Sequence, residues 1–450
     1  MPRRVLIVSP HFPPSSLAGV HRARHLGKHL PAAGWTPTVL CVDEVYHEER
    51  LDPELAALVP AGLEVVKAPA VPARLTRPFG LGDVSLRGWR PLRRAVLGRI
   101  AAGGVDAVLI TGAPYYPMLL AAEIRRQGTP VVLDFQDPWA SAWGARQPLA
   151  SKAGMSHRLA VNLEPRALRW ASFVTSVSEV QNGELADRYP WLDRDRMAAI
   201  PIGGDPDDYA AVSRSGAGSG GLVLDERCFN LTYAGTIAAG MTGTAGALMG
   251  ALARLREAAP AAYRKLRVNF VGTSANPAGF RDFRVQALAQ AAGVADVVRE
   301  IPQRLPYLEV LRLQARSDGV LVLGSDAPHY TASKIFGILM SRRPFLSLFH
   351  QASSAHEILA KAGGGIALAF AGEADLASCE PRLAEALLQL VSNPAALGEP
   401  RRCAYAAYEA SAIAQRFADV FEQVAYGGMG GLGEVRQLPS RPNIFQEPRA

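Results

Sequence analysis

The chain has 450 residues, 49% of them hydrophobic and 20% charged, which suggests two or three domains at about 150 residues each and excludes a disordered chain. Its formal net charge is +7, which suits anionic ligands such as phosphates, nucleotides or a lipid surface. The charge does not demand nucleic acid, because no aromatic–basic stripe accompanies it.

Short β-branched runs alternate with longer helical patterns. In the first half they predict strands at 4–9, 36–42, 63–68, 105–111, 131–135, 173–177 and 197–202. In the second half they predict strands at 229–234, 266–271, 297–301, 319–323, 343–349 and 365–369. The runs are nearly continuously apolar, as strands buried on both faces must be. Their alternation with helices implies parallel sheets with right-handed crossovers. A Gly/Ser-rich stretch at 211–221 separates the halves and predicts two similar doubly wound domains. A helical pattern over 400–425 precedes a sparsely apolar end, expected to be a mobile tail. No stretch reaches the roughly 18 apolar residues of a membrane helix. The run before Pro10 is too short for a signal peptide. The four cysteines form no C-x-x-C pair, so neither zinc nor a disulfide framework is indicated. A cytoplasmic protein is expected.

Three local patterns are set aside. Gly216, Gly218 and Gly221 spell G-x-G-x-x-G, but no strand precedes them and no helix follows, so the dinucleotide context fails. Asp205-Pro206-Asp207 is a literal D-x-D that could chelate a divalent metal. Its Gly and Pro neighbours favour a tight turn. His21, His25 and His29 recur at helical spacing beside Arg22, Arg24 and Lys28, which disfavours a cation, and a solvated polar face is expected instead.

Four loops carry chemistry. The first runs from Ser9 to Arg22 after the first strand and includes His11 and Gly19. Such βα loops hold ligands in open α/β sheets, and a following helix N-terminus offers N–H groups to an anion or a hydroxyl. The second is Gln136-Asp137-Pro138-Trp139. A carboxylate beside an indole suits carbohydrate, and Asp137 could equally cap the turn before Pro138. In the third, Gly235 and Thr236 follow the eighth predicted strand and could offer donors to a phosphate or form a plain turn. In the fourth, Thr331 or Ser333 could cap a helix whose first turn holds Lys334. A cation at the positive helix end is unfavourable, and a diphosphate would remove that penalty. A surface lysine is the alternative.

In order and spacing these segments resemble the family-4 glycosyltransferases, over roughly residues 3–425. Phe12-Pro13-Pro14, Gly19-Val20-His21-Arg22 and Gly34-Trp35-Thr36-Pro37-Thr38-Val39-Leu40 resemble the F-P-P, G-x-x-R and G-W-x-P-x-V-L opening of a bacterial branch. Leu133-Asp134-Phe135-Gln136-Asp137-Pro138-Trp139 is similar to its D-x-R-D-P-W. Ser172–Glu179 and Ile200–Asp205 resemble the end of the first domain and the I-P-N-G-x-D hinge. Tyr233-Ala234-Gly235-Thr236 and Ser333-Lys334-Ile335-Phe336, followed by Arg343-Pro344, resemble donor-domain segments.

The resemblance implies the GT-B fold, two Rossmann-like domains facing a cleft. Residues 1–205 would bind acceptor, 206–225 link, 226–400 bind nucleotide sugar, 401–426 cross back to the first domain, and 427–450 trail. It also implies retaining transfer of a sugar from a nucleoside-diphosphate sugar to a natural product or cell-envelope acceptor, without metal or cofactor. Lys334 would bind the pyrophosphate, with Gly235, Thr236, Ser333 and Arg304 around the phosphates. Asp137 and His11 would orient or deprotonate the acceptor, and Gly19, Arg22 and Trp139 would line the cleft. The chain departs from the family at several points. His329 and Gly337 stand where paired glutamates are usual, Gln136 replaces an arginine, and no basic residue follows Thr236 closely. Glu357 would supply a ribose contact, and Arg304 or Arg22 would assist Lys334. A degenerate, non-catalytic nucleotide-binding partner is the alternative. A hydrolysing sugar-nucleotide epimerase fits less well, because no dense acid/base cluster occurs in the second half. The basic segment 86–100 could touch an anionic bilayer or form a solvated helix.

Overall fold

The computed structural model describes residues 3–214, 222–274, 281–326 and 333–427. Each of the thirteen predicted strands is present. The first seven are β1 (Arg3–Val8), β2 (Trp35–Val42), β3 (Glu64–Ala68), β4 (Ala107–Gly112), β5 (Val131–Phe135), β6 (Phe173–Ser176) and β7 (Met197–Ala199). The second group is β8 (Phe229–Ala234), β9 (Leu266–Val271), β10 (Val298–Ile301), β11 (Gly319–Leu323), β12 (Phe345–His350) and β13 (Gly365–Phe370). Two ends move for visible reasons. β7 stops at Ala199 because the carbonyls of Ile200 and Pro201 turn to the Arg22 guanidinium. β12 starts after Pro344, which has no N–H to donate, and after Arg342, whose φ is 55°.

The strands form two all-parallel sheets, ordered β3-β2-β1-β4-β5-β6-β7 and β10-β9-β8-β11-β12-β13. Both follow the doubly wound order, apart from the extra edge strand β7. Strand faces are apolar on both sides because helices cover both sides. Leu6, Val108 and Leu133 pack with Leu92 and Val96 on one face of the first sheet. Val5, Ile7 and Val39 pack with Leu26 of the helix Val20–His29 on the other. The second sheet repeats the plan, with the helices Thr242–Ala258 and Leu376–Ser392 on one face and Lys334–Ser341 and Ser354–Ala362 on the other.

The closing helix Ala410–Tyr426 puts Ile413, Phe417 and Phe421 into the core of the first domain. Its entry is fixed by the Gly204 N–H donating to the Tyr408 carbonyl at 3.1 Å and the Ala410 N–H donating to the Gly204 carbonyl at 2.7 Å. Residues 206–214, expected within the linker, form the helix Pro206–Arg214 instead. Asp205 Oδ1 accepts from the Asp207 N–H at 3.1 Å, while Oδ2 holds Lys28 at 2.7 Å and His29 at 2.9 Å. The D-x-D is thus a helix cap and an ion pair. Gly216, Gly218, Gly221 and the 428–450 tail lie outside the described residues.

The polar side of the helix Val20–His29 corrects the expectation of a solvated face. Arg22 and Arg24 are fully buried and His25 is 2% exposed. Arg24 reaches both oxygens of Asp208, and the Tyr307 hydroxyl donates to the same carboxylate at 2.8 Å. The His21 ring packs on Tyr307, and burial beside Arg24 pushes the His21 imidazole down to about 3. Residues 86–100 fold largely into the helix Trp89–Ala101, with Leu92, Val96 and Ile100 buried. On its outer side Arg93 pairs with Glu123 and Arg99 with Glu64. Among the described residues no helix is long and apolar enough to cross a membrane.

Arg22 is the anchor of the first domain. Its Nε donates to Asp134 Oδ2 at 3.0 Å, and its ring-facing side lies 4.8 Å from the centroid of Phe417. Asp134, on β5, also accepts from Thr111 at 3.0 Å and Thr175 at 2.8 Å. Arg22→Leu leaves that carboxylate buried and short of its cation. A loss of about 3–5 kcal/mol in urea denaturation is expected, and a loss below 1 kcal/mol would show that the pair is not an anchor.

Candidate active site

In each sheet the strand order reverses at one place, between β1 and β4 and between β8 and β11. Loops diverge there, leaving a crevice at the carboxyl ends of the strands where doubly wound sheets bind ligands. The site residues fall at these two places and at the strands beside them.

Beyond β8 lie Gly235 and Thr236. Gly235 has φ +139°, which L side chains rarely adopt. A Cβ built there would stand 3.0 Å from Lys334 Nζ, so glycine lets the ammonium approach the backbone. The Gly235 N–H is already committed to the Val271 carbonyl at 2.9 Å, so it is not the phosphate donor expected. Thr236, in contrast, keeps its N–H and hydroxyl available among the described residues. Lys334 opens the helix Lys334–Ser341. Its Nζ donates to the Tyr233 hydroxyl at 2.7 Å and lies 4.0 Å from the centre of that ring. The Tyr233 hydroxyl in turn donates to the Thr236 carbonyl at 2.9 Å. Tyr233 is thus a positioning residue that strand patterning alone reads as core. No carboxylate pairs with Lys334 among the described residues, and burial pushes its ammonium down to about 7.

Ser333 sits at the N-cap of the same helix without a side-chain capping bond. The helix end therefore keeps its partial positive charge next to Lys334. The Gly272 turn after β9 brings Arg304 to this place. A Cβ on Gly272 would lie 3.7 Å from Arg304 Cα and 3.9 Å from the Gly235 nitrogen. The Arg304 side chain is exposed. Glu357, on the helix after β12, holds Lys361 at 2.7 Å. Gly337 has open space around a built Cβ. Thr331 and His329 lie outside the described residues.

On the first sheet, Gln136 takes the place beside Asp137 and is 8% exposed. Its amide donates to Thr111 Oγ1 and, at 3.3 Å, to the Gly19 carbonyl. This bond ties the loop after β5 to the loop after β1. Asp137 is exposed, and its carbonyl accepts from the Tyr115 hydroxyl at 2.7 Å. Trp139 stacks on Tyr115 with centroids 5.4 Å apart and meets Tyr116 edge-on. It is therefore partly a packing residue rather than a free sugar platform. Arg22, expected in the cleft, is enclosed and fully engaged as described above. His11 gives Nδ1 to Glu49 at 2.8 Å and stands 4.8 Å from the His47 ring. Neither His47 nor Glu49 was singled out in the sequence, because their pairing with His11 joins two loops.

The domains meet near these loops. The Tyr307 N–H, just after β10, donates to Asp52 Oδ2 at 2.7 Å, and Arg312 pairs with Glu54 at 2.9 Å. A cavity of about 440 Å³ lies elsewhere, at the opposite edge of the first sheet among Arg4, Thr38, Glu64 and Arg99. Its one carboxylate is already engaged, since Glu64 takes both Thr38 and Arg99. The strand-end crevices remain the candidate site.

Two Rossmann-like domains with such crevices define the GT-B fold. The family model described as a glycosyl transferase 4-like domain matches residues 18–203. Anabaena Alr3699/HepE, solved in complex with UDP and glucose, is 16% identical with a TM-score of 0.57, covering 94% of this chain and 100% of that one. The α,α-trehalose 6-phosphate synthase of Burkholderia multivorans is 13% identical with a TM-score of 0.61, covering 95% of this chain and 100% of that one. No curated protein matches the sequence. The matched domain and the shared fold support a glycosyltransferase.

Two outcomes follow from the geometry. The Lys334 ammonium has an ordinary value of 10.5 and a folded value of about 7. Between these limits the unfolded chain binds the extra proton, so stability rises with pH through that window. Below about pH 7 both states are protonated and the full cost of burial applies. Lys334→Met removes this rise, on the order of 3–5 kcal/mol, measured as urea stability at pH 6.5 against pH 10. An unchanged pH slope in the variant would contradict the assignment. Gly337→Ala, in open helix surface, is expected to raise stability by about 0.5–1 kcal/mol. A thermal denaturation showing a loss instead would mean that the glycine is needed for close approach.

Proposed function

We propose that the protein transfers a sugar from a nucleoside-diphosphate sugar to an acceptor, with retention of the anomeric configuration. One observation carries the reading: a half-buried lysine without a carboxylate partner among the described residues, held by Tyr233 over Gly235 at a helix end where Ser333 makes no side-chain capping bond. A desolvated cation at the positive end of a helix is poorly placed alone. A diphosphate seated there supplies its counter-charge and favours the protonated ammonium over the neutral amine.

Lys334, the Thr236 donors and the helix end would then stabilise the charge that develops on the leaving diphosphate. Preorganised charge of this kind is usually the largest part of catalysis. It balances the leaving group without requiring a metal there. The bond from the anomeric carbon to the diphosphate oxygen breaks, and the acceptor oxygen bonds to the same face. The departing phosphate takes the acceptor proton. Asp137, exposed on the loop after β5, would orient the acceptor in the first domain, beside Gly19. Retention rests on the resemblance to family-4 enzymes. UDP is the first nucleotide to try, because the similar Anabaena protein holds UDP and glucose. Gly337 supports a second reading, a nucleotide-binding partner without transferase activity, since the space beside it lacks the usual glutamate.

Thermal shift of the purified protein against UDP, GDP, ADP, CMP and dTDP tests both. A nucleotide at 100 times its Kd stabilises by about 2.7 kcal/mol, and Lys334→Ala should abolish that shift. A shift followed by turnover of the matching sugar nucleotide supports the transferase. A shift without hydrolysis or transfer to any acceptor supports the partner. No shift with any nucleotide would overturn both.

A further inference from the structure

A second cluster lies at the carboxyl edge of the first sheet and takes no part in the reaction just described. His11 comes from the loop after β1, and His47 and Glu49 from the loop after β2. One ligand atom from each lies within 4.8 Å of the other two. His11 Nδ1 is 2.8 Å, and His47 Nδ1 3.3 Å, from the same oxygen, Glu49 Oε1. Ser15 donates its hydroxyl to that oxygen as well.

The imbalance is on His47. Its side chain is 1% exposed, yet neither ring nitrogen makes a well-formed hydrogen bond, the approach of Nδ1 to Glu49 Oε1 at 3.3 Å being poorly aligned. Buried polar atoms are ordinarily satisfied. His11 and Ser15 already hold Glu49 Oε1, so His47 is left without a well-formed bond to it. An anionic oxygen and two imidazoles are the donor set that divalent zinc prefers.

We propose that His11, His47 and Glu49 bind one Zn²⁺ ion. Zinc takes nitrogen and oxygen ligands at about 2.0–2.2 Å, which puts neighbouring ligand atoms of a tetrahedron roughly 3.4 Å apart. The separations of 2.8 and 3.3 Å to the carboxylate oxygen lie at or below that value, and all three ligand atoms lie within 4.8 Å of one another, so side-chain rotations bring them to the tetrahedral spacing. Three protein ligands leave the fourth position to water, and Ser15 becomes a hydrogen-bonding support for the ligating carboxylate. The ion fastens the loop after β1 to the loop after β2. The second of these loops leads directly into Asp52, which takes the Tyr307 N–H from the other domain at 2.7 Å. Zinc therefore stiffens the acceptor side of the junction without touching the diphosphate seat.

The full untagged chain, stripped with EDTA and dialysed, is titrated with Zn²⁺ alone by calorimetry, and bound metal is counted by mass spectrometry. One equivalent per chain is expected. His47→Ala and Glu49→Gln should each weaken binding at least about 100-fold, and His157→Ala, outside the cluster, should not. Binding of less than about a tenth of an equivalent, or an equivalent retained in His47→Ala, overturns the proposal. Should the variants fail to fold, Co²⁺ in the unaltered chain decides. The intense visible bands of a tetrahedral nitrogen–oxygen site support it, and thiolate charge-transfer absorption assigns the ion to cysteine and overturns it. Neither readout depends on sugar transfer, so the zinc site and the transferase reading stand or fall separately.

Discussion

Two guanidinium groups on one short helix hold the molecule's parts in register. Arg22 joins β5, through Asp134, to the chain leaving β7 and to the closing helix, through Phe417. Arg24 joins the same helix to Asp208 and, through it, to Tyr307 of the second domain. Buried charge is costly unless a counter-charge and hydrogen-bond partners compensate it. The Arg22 and Asp134 partners come from six separate segments, so the pair is satisfied only when those segments are all in place. Breaking the geometry anywhere leaves a desolvated ion, which gives the arrangement its specificity.

The second domain uses the same physics with the opposite outcome. Lys334 is also desolvated, but its partner is a neutral phenol rather than a carboxylate. The buried arginines are neutralised by carboxylates inside the protein, whereas Lys334 has no carboxylate partner among the described residues. The two sheets share one strand order and so offer equivalent crevices, yet the residues at the strand ends divide the labour. The first crevice is lined by glutamine, aspartate and stacked aromatics, the second by glycine turns, an amphoteric lysine and an open helix end. Charge on the protein thus gathers where the diphosphate would sit, and hydroxyl-binding groups gather where an acceptor would sit.

Much of the site was legible. The places of Gly235, Thr236 and Lys334, though not the committed N–H of Gly235, could be read because each has a local reason: a turn after an apolar strand, and a cation misplaced at a helix start. Their support was not. Tyr233 reads as a core aromatic, since a strand residue with a hydroxyl looks the same whether or not a lysine lies above it. Arg22 was misplaced for the converse reason. Its local pattern suited a cleft, but Asp134 lies 112 positions away, and no local pattern announces a partner at that distance. Gln136 shows both limits, since its substitution for arginine was visible and its bond to the Gly19 loop was not.

The sequence by itself determined the thirteen strands, their burial on both faces and the division into two doubly wound halves. These depend on hydrophobic periodicity, which is written in neighbouring residues. It also marked the strand ends where turn residues and charges gather, the places of the candidate site. The tertiary structure alone decided which charges are paired. It turned the expected solvated face of the helix Val20–His29 into a buried junction, made the D-x-D a helix cap, and gathered His11, His47 and Glu49 from two loops. Pairing depends on distances between residues remote in the chain, and a charge has one meaning when it is compensated and another when it is not.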